Sequence, residues 1–269
     1  MQFLIFQLII KIINMNQIKR TRPQKWMRQL QMLPIKAGLS DFGSMFMSYQ
    51  PDSKDFFNAH SEYDNLLKKF IHLNEKNNRG DIHRLWSFIL NCNHVCEQGI
   101  VGNFAELGVY KGNTAAILAY YAKKFNRHLD LFDTFTGFDQ RDIRGVDQNE
   151  SSQSFKDTGL DLVRQTIGEN TDACKFHQGY FPDSITDEVK QNHYSVVSLD
   201  ADLYEPTKAG LEFFYPRMTK GGIFFLHDYS SLMWPGSKKA IDDFCEKVNE
   251  YLVLMPDKSG SAFFRKSKD

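Results

Sequence analysis

The sequence predicts an α/β fold of the Rossmann-like type, with a mainly parallel sheet covered by helices on both faces. Three observations support this. From Gly102 onward, short apolar segments that suit strands alternate with segments of helical spacing. Glycines follow the first of the apolar segments, and acidic residues stand at the ends of later apolar segments. In such a sheet the ligand site lies beyond the carboxyl ends of the strands, so those positions indicate the function.

The composition agrees with one folded domain that carries extensions. The chain has 269 residues, of which 42% are hydrophobic and 23 are phenylalanine, enough for a sizeable core. Lys+Arg and Asp+Glu are both 33. This balance removes the broad attraction to nucleic acid, so we expect no nucleic-acid partner. The four cysteines follow no disulfide spacing, which favours a reducing, cytoplasmic location.

Residues 1–80 are predicted to form an N-terminal extension. The first 13 residues are almost all apolar and a basic arm follows at 19–25, but the apolar stretch is too short to span a bilayer as a helix. Three interpretations stay open: a membrane anchor formed by residues 1–25, a packing helix, or an upstream start codon with Met15 as the true start. Helical spacing is clear at 63–73, before a polar interruption at 77–81.

The main domain, residues 81–269, is predicted to alternate strands and helices. Helices are expected at 82–90, 114–125, 160–167, 184–190, 206–214 and 238–251. Strands are expected at 103–107, 129–132, 173–177, 194–199 and 223–226, followed by an antiparallel C-terminal pair at 251–253 and 262–265. The polar stretch 139–158 has no predicted element, and loops of that length commonly act as lids.

A glycine turn follows the first predicted strand. Residues 106–112 read ELGVYKG, and glycines there let the backbone turn sharply and approach a ligand. The middle glycine of G-x-G-x-x-G is missing, which disfavours a nicotinamide-dependent oxidoreductase. Asp133 ends the second strand, where an acid can accept hydrogen bonds from both ribose hydroxyls. The turn and the acid together predict an adenosine-containing cofactor.

Four polar side chains end the fourth and fifth predicted strands. Asp200 and Asp202 follow one strand, and His227 and Asp228 follow the next. Because neighbouring parallel strands end at the same edge, we expect the four at one rim. Carboxylates are the ligands that Mg²⁺ prefers, so Asp200, His227 and Asp228 are candidate metal ligands. For Asp202 alone, a simpler role as an acid at a helix N-terminus is preferred.

Together these motifs resemble the macrocin O-methyltransferase family over residues 85–244. The matching segments are 106–112 (ELGVYKG), 132–138 (FDTFTGF), 179–184 (GYFPDS), 199–207 (LDADLYEPT), 215–218 (YPRM), 221–222 (GG) and 227–229 (HDY). The resemblance implies a class I methyltransferase fold, S-adenosylmethionine as methyl donor, Mg²⁺, and a sugar hydroxyl as acceptor. It makes Asp200 both metal ligand and general base. It also places cofactor contacts at Glu106, Gly108 and Asp133. Further candidate cofactor contacts are Tyr110, Gly112, Thr114 and Phe181.

His227 departs from the family pattern, which has two adjacent aspartates where this chain has His227-Asp228. Imidazole suits softer ions than Mg²⁺. Three roles of His227 therefore stay open: ligand of a softer ion, the base itself, or a substrate contact.

The resulting hypothesis is O-methylation of a sugar hydroxyl on a glycosylated metabolite or glycan, with Asp200 or His227 as base and loop 139–158 closing over the site. Two rivals stay open, a phenol or catechol O-methyltransferase and a non-catalytic S-adenosylmethionine-binding protein. The sequence also leaves membrane contact through residues 1–25 and homo-oligomerisation undecided.

Overall fold

The computed structural model of the protein describes residues 59–268. The sheet and the site both belong to the unit that runs from Asp64 onward. The predictions for residues 1–58, among them membrane contact through residues 1–25 and a start at Met15, lie outside the described residues. Within residues 59–268, no helix has the length and apolar character needed to cross a membrane.

A seven-stranded sheet forms the centre of the fold. Its strands are β1 (Asn103–Leu107), β2 (Leu129–Asp133), β3 (Cys174–Gln178), β4 (Tyr194–Leu199), β5 (Met218–Leu226), β6 (Val253–Leu254) and β7 (Ala262–Arg265). They lie in the order β3-β2-β1-β4-β5-β7-β6, with the first five parallel and β7 antiparallel to both its neighbours. This confirms the predicted mainly parallel sheet with an antiparallel C-terminal strand. The order reverses between β1 and β4, which places the ligand crevice there.

Helices cover both faces of the sheet, as predicted. They are α1 (Tyr63–Ile71), α2 (Glu75–Asn78), α3 (Ile82–Glu97), α4 (Asn113–Lys124), α5 (Leu160–Ile167), α6 (Asp187–Lys190), α7 (Tyr204–Phe214) and α8 (Pro235–Val248). Successive strand residues point to opposite faces. On β5, Phe225 packs against Phe88 of α3 with ring centroids 4.3 Å apart, whereas Phe224 joins the core cluster that contains Phe214 and Phe244 of α7 and α8.

Two elements differ from their predicted bounds. Strand β5 begins at Met218, earlier than the predicted start at 223, because the strand continues through Gly221 and Gly222, opposite a register shift in β4. Helix α8 occupies Pro235–Val248, not 238–251. Proline is favoured in the first turn of a helix, and Asn249 ends this one in the left-handed conformation, with φ of 54°.

The loop between β2 and α5 is anchored near its middle. Asp147, in a short 3-10 turn (Gly145–Asp147), is 2% exposed. Its Oδ2 accepts a 2.7 Å hydrogen bond from the backbone N–H of Tyr204, at the start of α7. Gly236, at the start of α8, packs so closely that a Cβ there would lie 2.2 Å from the same carboxylate. One acid thus serves two helix N-termini, where negative charge is stabilising, and it pins the predicted lid to both helices.

Candidate active site

A cavity of about 580 Å³ opens at the carboxyl ends of β1, β2, β4 and β5. This lies in the size range of small-molecule sites. Its walls also include residues of α2, α3, the loop after β2, and the connection between β6 and β7. The cavity therefore lies at the edge that the sequence predicted, but it draws on more of the chain than the predicted strand ends.

The cavity wall contains every predicted site residue except one. The residues that line it are Glu106, Gly108, Tyr110, Thr114, Asp133, Phe181, Asp200, His227 and Asp228. Gly112 lies behind the wall at the start of α4, with φ of 80°, and a Cβ there would meet Val163 of α5 at 2.9 Å. Gly112 therefore shapes the turn from outside the cavity.

Gly108 brings the ends of β1 and β4 together. Its φ is 86°, a conformation that favours glycine, and a Cβ would lie only 2.0 Å from the carbonyl oxygen of Asp200. The backbone N–H of Asp200 donates to the carbonyl of Leu107 at 2.9 Å. The absence of a side chain at Gly108 thus sets the position of Asp200.

Asp133 holds the glycine turn. Its Oδ2 accepts from the backbone N–H groups of Val109 (2.7 Å) and Tyr110 (3.0 Å), and its Oδ1 accepts from that of Phe135 (2.7 Å). Burial raises the pKa of this carboxyl, while these hydrogen bonds lower it. A carboxylate has about four acceptor positions, and these backbone groups take three. The hydroxyl of Thr134 lies 3.5 Å from Oδ1, but its one proton is donated at the shorter distance of 2.6 Å to the carbonyl of Gly137. Asp133 therefore has room for one hydrogen bond from a ribose, where the sequence predicted two.

Glu106 carries an unpaired oxygen in the interior. The residue is 1% exposed, and among residues 59–268 its Oε2 has no hydrogen-bond partner. Burial first, and then the charges of Asp200 and Asp133, raise the pKa of this carboxyl well above its usual value. A buried polar atom without a partner is costly. Because this one borders the cavity, a ligand N–H group is its natural partner.

The three predicted metal ligands form one cluster. His227 Nδ1 lies 2.6 Å from Oδ1 of Asp200 and 2.5 Å from Oδ2 of Asp228. One ligand atom from each of the three lies within 4.8 Å of the other two. The structure thus brings together the three residues that the sequence selected.

Arg84 of α3 completes the cluster. The residue is 7% exposed, and its Nη1 is in hydrogen-bond contact with Nε2 of His227 and lies 3.8 Å from Oδ2 of Asp200. Its Nη2 donates to Asn78 at 2.8 Å, and its Nε lies 3.2 Å from Asp81. A buried guanidinium therefore stands beside two acids and a histidine.

Sequence reasoning did not select Arg84, although a signal was present. Arg84 lies one helical turn before Phe88, on the buried face of α3. A charged side chain on such a face is rarely buried without a partner. That pattern predicts a partner for Arg84, but not which one.

Asp202 belongs to the same wall and is 8% exposed. Burial, followed by the charges of Asp200 and Asp228, raises the pKa of its carboxyl well above the usual value. Asp202 stands just before α7, so its preferred interpretation, an acid at the N-terminus of the next helix, stays a prediction. The first N–H of that helix donates to the carboxylate of Asp147.

Aromatic side chains form another side of the cavity. Phe138, Phe155 and Trp234 contact one another with ring centroids 5.2–5.9 Å apart, and Tyr110 packs on Phe155 at 5.1 Å. All four line the cavity, and we call them the aromatic wall. The rings are inclined to one another by 45–90°, and the apolar surface that they form is suited to an uncharged ring.

Residues 81–266, well over half of the chain, match the family model described as macrocin-O-methyltransferase (TylF). A curated relative is the 8-demethyl-8-(2,3-dimethoxy-alpha-L-rhamnosyl)-tetracenomycin-C 4'-O-methyltransferase of Streptomyces olivaceus. It is 26% identical over 147 residues, which cover 51% of this chain and 56% of the relative. The chain thus spans little more than half the length of that relative.

Two solved structures share the fold. The O-methyltransferase NovP is 22% identical with a TM-score of 0.59, covering 70% of this chain and 81% of that one. The calicheamicin methyltransferase CalS11 is 22% identical with a TM-score of 0.58, covering 85% of this chain and 100% of that one. Together with the strand order, these likenesses confirm the predicted class I methyltransferase fold.

Proposed function

Because the chain belongs to the macrocin O-methyltransferase family, we propose that it transfers a methyl group from S-adenosylmethionine to a sugar hydroxyl of a glycosylated metabolite or glycan. The name of the Streptomyces olivaceus relative, a 4'-O-methyltransferase of a rhamnosyl tetracenomycin, supports a sugar as acceptor. The single observation that carries the proposal is that Asp200 faces the same cavity as Glu106 and the glycine turn.

The residues of the cavity fit this cofactor. S-adenosylmethionine carries an ammonium group, and the unpaired Oε2 of Glu106 can accept a hydrogen bond from it. Asp133 can accept from one ribose hydroxyl, and the turn at Gly108 lets the cofactor approach the backbone. When bound, the cofactor supplies the electrophilic methyl group, and the protein aligns the acceptor with it.

Asp200 is the proposed base. Its side chain is 27% exposed and lines the cavity. Burial raises the pKa of the carboxyl, but His227 and Arg84 outweigh this, so the pKa lies below its usual value. The group is therefore ionised at neutral pH. It can accept the proton of the acceptor hydroxyl as the methyl group is transferred.

The aromatic wall is the proposed acceptor surface. It lies in the same cavity as Asp200 and presents rings with little charge. The apolar face of a sugar, or the aglycone attached to it, can pack against such rings. A phenol can pack there equally well, so the acceptor class needs a direct comparison.

Mg²⁺, which the resemblance implied, does not fit the cluster. One of its three ligands is an imidazole, which suits softer ions, and the guanidinium of Arg84 already contacts that ring. No step of the proposed reaction requires a metal.

The test is Asp200→Asn, assayed for methyl transfer to glycosylated and phenolic acceptors alongside titration with S-adenosylhomocysteine. Loss of the base should lower turnover by about 10²- to 10⁴-fold, with cofactor binding largely unchanged. Asp161→Asn, at a carboxylate 92% exposed on α5, is the matched control and should keep full activity.

If Asp200→Asn turns over as fast as the wild type, Asp200 is not the base. Transfer to phenols alone would replace the sugar acceptor, and failure of the wild type to bind S-adenosylhomocysteine would contradict the methyltransferase proposal.

A further inference from the structure

Both ring nitrogens of His227 have partners, and the partners are of opposite kinds. Nδ1 faces the carboxylates of Asp200 and Asp228, which accept hydrogen bonds. Nε2 contacts Nη1 of Arg84, which can only donate. One arrangement satisfies all of them: Nε2 carries a lone pair and accepts, and Nδ1 carries the proton and donates.

The same contacts decide where the ring proton lies. The carboxylates of Asp200 and Asp228 favour a proton on Nδ1. A proton on Nε2 would face the guanidinium of Arg84, which has no acceptor. The contact with Arg84 therefore favours an unprotonated Nε2, with the ring proton on Nδ1.

A divalent cation needs the opposite arrangement. To bind between Asp200, His227 and Asp228, it would take the lone pair of Nδ1, and the ring proton would move to Nε2 against Arg84. Nδ1 lies 2.6 Å and 2.5 Å from the two carboxylate oxygens, within hydrogen-bond distance of both, so its proton already has acceptors.

Arg84 supplies the positive charge that a cation would supply. Its Nη1 lies 3.8 Å from Oδ2 of Asp200. The guanidinium is held from behind by Asn78 and Asp81, and Asp81 accepts in turn from the backbone N–H of Lys258 (3.0 Å) and from Oγ of Ser259 (3.1 Å). A buried, multiply held guanidinium is a preorganised charge.

We propose that Arg84 and the Nδ1–H form of His227 take the place of a divalent cation, so that this site works without a metal. In this arrangement Asp200 is the catalytic residue, whereas Arg84 and His227 are positioning residues that hold its carboxylate ionised and oriented. The catalytic meaning rests on the proposed methyl transfer. The tautomer and the lack of metal affinity do not.

Metal affinity gives the first test. The full-length protein, stripped with EDTA and desalted, is titrated calorimetrically with Mg²⁺, Mn²⁺ and Zn²⁺, with S-adenosylhomocysteine titrated separately. We expect no saturable metal binding and no effect of EDTA on S-adenosylhomocysteine affinity. Stoichiometric binding of any of these ions that is lost in Asp200→Asn would overturn the proposal. A negative S-adenosylhomocysteine titration would count against the methyltransferase function and leave the metal result standing.

The tautomer gives a second test that does not depend on activity. In protein labelled with ¹⁵N-histidine, long-range ¹H–¹⁵N correlation should show His227 protonated at Nδ1 and unprotonated at Nε2 near neutral pH, with His227→Gln identifying the signals. In Arg84→Gln the opposing cation is gone, so the ring should become doubly protonated. Arg164→Gln, half-exposed on α5, should leave the signals unchanged. A wild-type ring protonated at Nε2 would contradict the proposal.

Discussion

Single residues of the cavity differ in charge because their surroundings differ. Burial and neighbouring acids raise the pKa of Glu106 and Asp202, whereas His227 and Arg84 lower that of Asp200. Carboxyl groups whose pKa values are driven apart in this way can take different roles at one pH. Asp200 remains ionised and free to accept a proton, while the others favour the protonated form until a ligand arrives.

Glu106→Gln should stabilise the ligand-free protein and weaken cofactor binding. A carboxyl whose folded pKa is raised contributes stability at low pH and loses it as pH rises through the folded value. Above that value the charge is buried at a cost that glutamine avoids. We expect Tm at pH 8 to rise by about 2–4 °C and the difference to shrink at pH 5, while S-adenosylhomocysteine binds less tightly.

Glu188→Gln, at an exposed side chain on α6, is the control for this change and should alter neither quantity appreciably. Thermal denaturation at both pH values provides the measurement. If Glu106→Gln is less stable than the wild type at pH 8, the buried carboxyl is paired in a way that the geometry does not show.

Gly108→Ala should both destabilise the protein and displace the proposed base. The new Cβ would meet the carbonyl oxygen of Asp200 at 2.0 Å, at a backbone position with φ of 86°. Strain of this kind costs about 2–4 kcal/mol, and turnover should fall because Asp200 moves. Gly159→Ala is the control, since that position is extended and has open space around it. Denaturant unfolding measures the loss in the free energy of unfolding. Equal stability of Gly108→Ala and Gly159→Ala would show that the ends of β1 and β4 can move apart at little cost.

Much of the residue-scale site could be predicted because its chemistry follows strand ends. Glu106, Asp133 and Asp200 stand at the carboxyl ends of predicted strands, where a parallel sheet gathers its ligands. Arg84 could not be placed in this way. Its helix precedes the sheet, and the periodicity of a helix shows which face is buried but not which strand end that face meets.

At the scale of elements, the local sequence pattern predicted where helices and strands lie, but not the contacts that fix the loops between them. Strands 103–107 and 194–199 were predicted to the residue. Gly102 and Gly108 bound the first, and the second is a short segment with the apolar character of a buried strand. Residues 139–158, in the loop between β2 and α5, were predicted to be a lid that closes over the site. Its anchor at Asp147 depends on the starts of α7 and α8, which the sequence does not place beside it.

Asp147→Ala should loosen this loop and both helix starts. Removing an acid that accepts from a helix N-terminus costs about 0.5–2 kcal/mol, and the loop loses its fastening to α7 and α8. We expect faster proteolysis within residues 139–158 and a higher KM for the acceptor, since Phe138 and Phe155 of the aromatic wall flank that anchor. Limited proteolysis with mass spectrometry locates the cuts.

Asp161→Ala provides the comparison for Asp147→Ala, because that carboxylate is exposed. The two variants should differ in loop cleavage. Identical cleavage patterns would mean that the loop is held by contacts other than Asp147.

At the scale of the molecule, helices α1 and α2 are joined to the sheet by burial and hydrogen bonds. Leu66 and Phe70 of α1 are almost fully buried, and Asn113 of α4 donates to the carbonyl of Lys69 at 2.9 Å. Asn78 lines the cavity and holds Arg84. The boundary at residue 80 between extension and domain stays a prediction, and these contacts cross it.

Removing residues 64–80 should therefore lower the stability of the whole sheet domain. Burial of Leu66 and Phe70 is worth about 1.5–3 kcal/mol each. A chain that begins at residue 81 should melt on the order of 10 °C below one that begins at residue 64. Calorimetry of the two shortened chains makes the comparison. Equal melting temperatures would support the predicted boundary.

The hydrogen bonds from Lys258 and Ser259 to Asp81 link the two ends of the described chain, 177 and 178 residues apart. During synthesis Asp81 leaves the ribosome long before its partners exist. At about 5–20 residues per second, the interval is roughly 10–35 s. Until then Asp81, which holds Arg84, lacks its hydrogen bonds from Lys258 and Ser259, and these two residues are missing from the cavity wall. The nascent chain can thus form most of its sheet before the cavity is complete, and the proposed methyl transfer would require the last hairpin.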